Sequence, residues 1–199
     1  MGELKNKTEA ELENELKGLI EVRDILDNIG LTWFLSGGAL LGAVRNNDFI
    51  KWDWDVGIDL FLEELKNLNN FKNKFIANGF DLVKEDKTVT NTKFVFKKYD
   101  IEYELLFWLK KGNKRIRKAW KRPGFLTENG FSYVHIRDEK FRAPKNPELI
   151  LEYTYGKNWR TPIRTNKKNV YLAANFRRGK LAKIIKRIIK TIFYFRRLD

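Results

Sequence analysis

The order of hydrophobic patterns predicts an α/β (α+β) domain, a small mixed sheet flanked by helices. Three observations carry this: an N-terminal run with apolar residues at helical spacing, strand-like runs alternating with helical ones as far as residue 79, and then a succession of strand-like runs. Hydrophobic residues make up 43% of the 199 and aromatics 14%, enough for a packed core and too much for a disordered chain.

Thr8 followed three residues later by Glu11 reads as a capping box that opens a helix. Leu12, Leu16, Leu19, Leu26 and Ile29 continue it at helical spacing until Gly30. "LTWFLS" is an apolar strand running into Gly37-Gly38, and "ALLGAVRN" a short helix that starts at those glycines. "WDVGIDLF" reads as a second strand, and "LEELKNLNNFKNKFIANG" as one amphipathic helix closed by Gly79. "FDLVKE", "TKFVFKKY" and "IEYELLFWL" are strand-like. Residues 110–146 read as loop-rich and basic, with strands around "FSYVHI". Pro147 opens a helix that runs to Tyr155, proline being well placed at a helix start. No internal repeat or low-complexity linker divides the chain. One domain is expected over 1–175, followed by a basic amphipathic C-terminal helix over 176–199.

Composition narrows the chemistry. With no cysteine there is no disulfide framework and no thiolate metal site, and a single histidine, His135, argues against structural zinc. Any metal must be held by oxygen ligands, which favours Mg²⁺ or Mn²⁺. Formal charge is +14, of which +8 lies between Phe176 and Asp199, leaving +6 for the first 175 residues. The charged N-terminus has no apolar signal region and no run of 18 apolar residues occurs, so a cytoplasmic protein is the expectation.

The stretch "SGGALLGAVRNNDFIKWDWDVGIDLF", residues 36 to 61, concentrates the candidate functional groups. Asp53 and Asp55, at i and i+2 on a strand, point to one face. They repel one another unless a cation lies between them, and two carboxylates on a hard divalent cation are usual where phosphoryl groups are transferred. Gly37 and Gly38, at a strand-to-helix turn, let backbone N–H groups approach an anion. Arg45 adds a fixed cation able to meet a phosphate through two hydrogen bonds. A third carboxylate is expected from "YDIEYELLFW", where Asp100, Glu102 and Glu104 should face one way and Ile101, Tyr103 and Leu105 the other; Glu104 is the first choice and Glu102 the second. Each feature alone is more often structural, a turn, a solvated edge or a wet strand face. Their appearance together, in order and with an arginine between, favours a site.

These residues also resemble the LicD/fukutin family of nucleotidyltransferase-fold phosphotransferases. Its typical run is S-G-G-T-L-L-G-x-x-R, a short gap, then F-I-P-W-D-D-D-I-D. A second match, "FRAPKNPELILEYTYGKNWRTP", resembles the family's proline-led helix ending in L-x-x-x-Y-G-x-x-W/M-x-T-P. The resemblance spans about residues 10 to 165 and implies a nucleotidyltransferase-type fold with carboxylate-bound Mg²⁺. It implies transfer of a phospho-alcohol, phosphocholine or a polyol phosphate, from a CDP-linked donor to a hydroxyl of a glycan or lipid-linked glycan, with release of CMP. By that resemblance Ser36, Gly37 and Gly38 form the phosphate-facing turn and Arg45 contacts the donor phosphate. Asp53 and Asp55 hold the metal, Glu104 stands where the family has an aspartate, and Tyr155, Gly156, Trp159 and Pro162 shape the rim. Lys51 replaces the usual proline, Trp54 replaces a frequent acid, and Gly57 sits where many members have another aspartate; Lys51 and Trp54 are carried as substrate-side candidates. The base that activates the acceptor stays open between an aspartate and Glu102, with His135 a weaker candidate.

The tail "RRGKLAKIIKRIIKTIFYFRRLD" separates apolar Leu181, Ile184, Ile185, Ile188, Ile192 and Phe195 from basic Lys180, Lys183, Lys186, Arg187 and Lys190. An interfacial helix on an anionic membrane surface through residues 177–197 is therefore expected, with the protein on the inner face of the membrane. Nucleic-acid binding is the other reading of such a tail, and no nucleic-acid partner is expected. "KAWKRPGF" suggests a basic, aromatic surface near residues 114–125 suited to a sugar or a choline-like cation. The rivals are a small-molecule nucleotidyltransferase that adenylylates a sugar or drug, and a non-catalytic basic RNA- or membrane-binding module with a vestigial site.

Overall fold

Helix α1 (Glu9–Ile29) begins where Thr8 and Glu11 cap one another reciprocally and ends at Gly30, whose φ of 77° few other residues adopt. The structure is a computed structural model that describes residues 5–118 and 120–165. By Cα proximity the chain divides into two units, Met1–Leu151 and Glu152–Asp199. The expected boundary at 175/176 and the expected basic helix lie outside the described residues.

After α1 come β1 (Trp33–Ser36), α2 (Gly37–Asn46) and β2 (Asp55–Phe61). The single helix expected over 62–79 is instead a 3₁₀ turn at Leu62–Glu64, a break, and α3 (Leu68–Ala77). Asn67 caps α3 by accepting a 2.9 Å hydrogen bond from the Asn70 N–H. The acids before the break have tertiary partners: Glu64 accepts from the Thr32 N–H, and Glu63 pairs with Arg115. Then follow β3 (Asp81–Thr88), β4 (Asn91–Lys98) and β5 (Ile101–Lys111). Residues 110–146, expected to be loop-rich, hold β6 (Lys114–Arg117), β7 (Trp120–Pro123), the single turn α4 (Phe125–Glu128), β8 (Phe131–Ile136) and β9 (Glu139–Pro144). Helix α5 (Pro147–Tyr155) follows as expected.

The sheet is mixed, in the order β1-β2-β5-β4-β3, with β6 and β7 extending from the far end of β5. Among the described strands only β2 and β5 run parallel, aligning Asp55 with Glu102, Gly57 with Glu104, and Asp59 with Leu106. One face carries the core. Val56, Ile58 and Leu60, Phe94 and Phe96, and Tyr103, Leu105 and Phe107 are buried with Leu19, Val22 and Leu26 of α1 and Phe71 and Phe75 of α3. Five phenylalanines form its centre, Phe75 stacking on Phe96 at 4.4 Å and Phe71 meeting Phe107 edge-on and Phe94 at a tilt. Gly18 is a packing requirement of this layer. The Tyr103 hydroxyl occupies the space of an added Cβ and donates to the Glu15 carbonyl at 3.1 Å. With that face closed, alternation leaves Asp55, Gly57, Asp59, Glu102 and Glu104 on the other.

Candidate active site

The acidic face begins where β1 hands the chain to α2. Ser36 is the N-cap residue of α2, with its hydroxyl buried and without a hydrogen-bond partner among the described residues. Gly37 follows at φ +57°, which favours glycine, and an added Cβ there would meet nothing within 4 Å. Gly38 differs: an added Cβ would collide with Asp53 Oδ2 and stand 2.9 Å from Asp53 Cγ. Gly38 is thus bare because the Asp53 carboxylate lies over it, at the first turn of a helix whose N-terminus favours negative charge.

Asp53 and Asp55 are close enough to share a hydrogen bond. Burial, and then the Asp55 charge, raise the Asp53 carboxyl well above the usual carboxylate range. Asp55 keeps exposed surface at the start of β2, yet protein crowds its carboxylate, and burial and then the Glu104 charge raise it too. Two lysines that sequence reasoning passed over flank the pair. Lys93 of β4 forms an ion pair with Glu104 and acts favourably on Asp55. Lys7, fully buried, pairs with Glu15 of α1 and acts favourably on Asp53. Burial pushes Glu15 up to about 7 against the opposing pull of Lys7.

The remaining candidates are distributed as follows. Glu102 and Glu104 share the face of Asp55; Glu104 is tied to Lys93, and Glu102 is exposed and has no hydrogen bond or ion pair among the described residues. Asp100 does not join them. Tyr99 and Asp100, both at positive φ, form the two-residue turn between β4 and β5, and Asp100 faces water and pairs with Lys97. Arg45 stands in the last turn of α2, about 12 Å along the axis from Gly37, with Nε donating to Asn46 Oδ1. Lys51 is exposed, and its carbonyl accepts from the Lys7 N–H. Trp54 donates its indole N–H to the Lys5 carbonyl at 3.2 Å, and the Lys5 and Lys7 ammonium groups lie 5.5 and 5.8 Å from its ring. The residue that replaces the family's acid therefore fastens the N-terminal segment over the acidic loop. His135 is exposed on β8 and makes no hydrogen bond or ion pair among the described residues.

In the second unit Gly156, at φ +90°, donates to the Glu152 carbonyl to close α5, and the Arg160 guanidinium lies 4.1 Å from the Trp159 ring centroid. The rim role of Tyr155 and Trp159 rests on the resemblance alone. The basic, aromatic surface expected at 114–125 is only partly one: Lys114, Lys118 and Lys121 are exposed, whereas Arg115 and Arg122 are buried. No helix is long and apolar enough to cross a membrane among the described residues.

The donor set around Asp53 and Asp55 is all oxygen and crowded with like charge, which a hard divalent cation would relieve. Among the described residues no three acidic or imidazole side chains gather closely enough to hold a metal by themselves. The fit is to two carboxylates completed by water and substrate oxygens, the common arrangement for Mg²⁺.

Residues 30–146 match the family described as LicD/FKTN/FKRP, nucleotidyltransferase domain. The ribitol 5-phosphate transferase FKRP of Homo sapiens is 40% identical over 48 residues, 24% of this chain and 10% of that protein. The ribitol-5-phosphate transferase FKTN of Homo sapiens is 23% identical over 148 residues, 70% of this chain and 32% of that protein. The chain thus spans about a third or less of the curated relatives it matches. Among solved structures, ANT(2")-Ia in complex with adenylyl-2"-tobramycin is similar with a TM-score of 0.51 at 13% identity, covering 70% of this chain and 74% of that one. That likeness is one of fold, the nucleotidyltransferase type.

Proposed function

The chain belongs to the LicD/FKTN/FKRP nucleotidyltransferase-domain family, and from that premise we propose that it is a transferase moving a phospho-alcohol, a polyol phosphate or phosphocholine, from a CDP-activated donor to a glycan hydroxyl. The relatives' names, ribitol 5-phosphate transferases, support the transferred group and the class of reaction. The observation that carries the reading is the Asp53–Asp55 pair, crowded together beneath the first turn of α2.

Asp53 and Asp55 are the proposed ligands of a Mg²⁺ or Mn²⁺ ion, which supplies neutralisation of phosphate charge when bound. Gly38 leaves the space in which the Asp53 carboxylate is held in place. Ser36 Oγ, buried and without a partner among the described residues, is a hydrogen-bond donor at the same turn. Glu102, unpaired among the described residues and beside Asp55, is the proposed base for the acceptor hydroxyl, since Lys93 occupies Glu104. As the acceptor oxygen bonds to the phosphorus bearing the alcohol, its proton passes to Glu102, and the bond from that phosphorus to the oxygen of CMP breaks. For residues 177–197 we retain attachment to an anionic membrane, motivated by their charge and apolar periodicity. Sedimentation with and without phosphatidylserine in the vesicles tests it.

The test of function is thermal unfolding against CDP-ribitol, CDP-glycerol, CDP-choline, CMP, ATP and UTP, with and without Mg²⁺. A ligand at about 100 times its Kd stabilises the fold by about 2.7 kcal/mol. A Mg²⁺-dependent shift with one CDP-alcohol, matched by CMP release that Asp55→Asn abolishes, is the expected result. A shift with ATP alone would replace the proposal with adenylyl transfer.

A further inference from the structure

Beyond the aspartate pair, the same face of the sheet ends in buried side chains whose polar atoms lack partners. Asp59 lies about 13 Å along β2 from Asp55, and Trp108 of β5 lies on the same side. Arg122 of β7 lays its guanidinium 3.8 Å from the Trp108 ring centroid, with Nη1 2.5 Å from Asp59 Oδ2. Arg122 Nε and Nη2, Trp108 Nε1, Asp59 Oδ1 and Ser36 Oγ are all buried without a hydrogen-bond partner among the described residues.

Arg117 of β6 joins this group, its guanidinium 5.5 Å from the Trp108 centroid. Its Nε is also buried and unpartnered, and its Nη1 reaches only Asn91 Oδ1, at 3.4 Å. Charge separates the three arginines. Arg115 pairs with Glu63 and Glu128, and Arg122 with Asp59. Among the described residues no carboxylate lies within ion-pair distance of Arg117. Burial works against its charge, and Asp59 and Glu104 favour it from further off. Both of those carboxylates belong to the acidic face of the sheet, Asp59 on β2 and Glu104 on β5.

A largely buried cation without a counter-ion is costly, and buried polar atoms in native proteins nearly all find partners. Here the unpartnered atoms are mostly N–H donors, so the missing partner is rich in acceptors and negatively charged. We propose that Arg117 binds a phosphate oxygen of the nucleotide-linked donor, in a subsite backed by the Arg122–Asp59 pair and Trp108. The donor's identity rests on the function proposed above; the anion subsite does not. A guanidinium suits this role because its planar fork meets two phosphate oxygens at once.

The experiment uses the full chain and the variants Arg117→Met, which keeps the aliphatic stem, and Arg117→Lys, which keeps the charge. Titration calorimetry with inorganic diphosphate and with CDP, each with Mg²⁺, reads the subsite. Wild type should bind both, Arg117→Met should bind each about 10- to 100-fold more weakly, and Arg117→Lys should recover part of the loss. The metal-free melting temperature of Arg117→Met should not fall, because an unpaired cation has been removed from the interior. Diphosphate affinity unchanged in Arg117→Met, or absent in wild type, would overturn the assignment. So would a lower melting temperature that accounts for the loss and is not accompanied by recovery in Arg117→Lys. CMP release from CDP-alcohols, run in parallel, separates the two readings. Turnover by Arg117→Met with an unchanged donor KM sinks the subsite and leaves the function standing. Diphosphate binding that depends on Arg117, in a wild type inert to every CDP-alcohol, sinks the function and leaves the subsite.

Discussion

Replacing Gly38 by alanine isolates what the glycine pair contributes. The new Cβ would stand 2.9 Å from Asp53 Cγ and inside the contact distance of Asp53 Oδ2. Ordinary contacts between carbon atoms are about 3.5–4.0 Å, so Cγ must withdraw by about 0.6–1.1 Å, and Oδ2, which stands closer still, by more than that. Misplacement of a reacting assembly by about 1 Å can cost about 100-fold in rate, which is the loss expected in CMP release. Stability should behave differently. Gly38 has no positive φ, and alanine gains about 0.8–1.0 kcal/mol over glycine inside a helix, offsetting the displaced carboxylate. The melting temperature should therefore move by no more than about 4 °C in either direction. Gly37→Ala is the control. Its φ of +57° costs an alanine about 1–2 kcal/mol, but no atom lies near the new Cβ. It should lower the melting temperature by about 2–8 °C while leaving the Asp53 carboxylate where it is. Gly38→Ala with more than half of wild-type turnover, or both variants losing activity only in proportion to stability, would refute the argument.

Three further outcomes follow from the same geometry. Asp53→Asn in EDTA should melt about 2–4 °C higher than wild type at pH 7.5 and show no advantage at pH 4. A carboxyl raised in the folded state contributes stability below its unfolded pKa that is lost as pH rises through the folded one, so an equal advantage at both pH values would contradict the crowding of the pair. Trp54→Ala removes the hydrogen bond to the Lys5 carbonyl and the ring beside Lys7, and should cost about 1–2 kcal/mol. Limited proteolysis should then cut before Thr8 sooner than in wild type, and an unchanged cleavage pattern would remove the strap reading. Gly18→Ala displaces the Tyr103 hydroxyl from the Glu15 carbonyl and should destabilise by about 1–3 kcal/mol in denaturant, with retained stability showing that α1 can shift to accommodate a methyl group.

The chain by itself determined whatever short-range rules govern. The Thr8–Glu11 cap, the glycine-led turn into α2, the alternation that sets Glu102 and Glu104 on one face of their strand, and the apolar stripe of α1 each follow from residues within a few positions of one another. Tertiary contact decided the rest. The helix expected across 62–79 breaks where Glu63 and Glu64 meet Arg115 and Thr32, partners more than thirty positions away. Asp100 left the acidic face because a two-residue turn claimed it. Residues 110–146 formed strands that their basic composition disguised, since Arg115 and Arg122 are buried by carboxylates and rings supplied from β2, β5 and the turn after β2. Lys7 and Lys93 became neighbours of the aspartates in the same way. Alternation along a strand tells which way a side chain points, and only the pairing of strands tells what it will face.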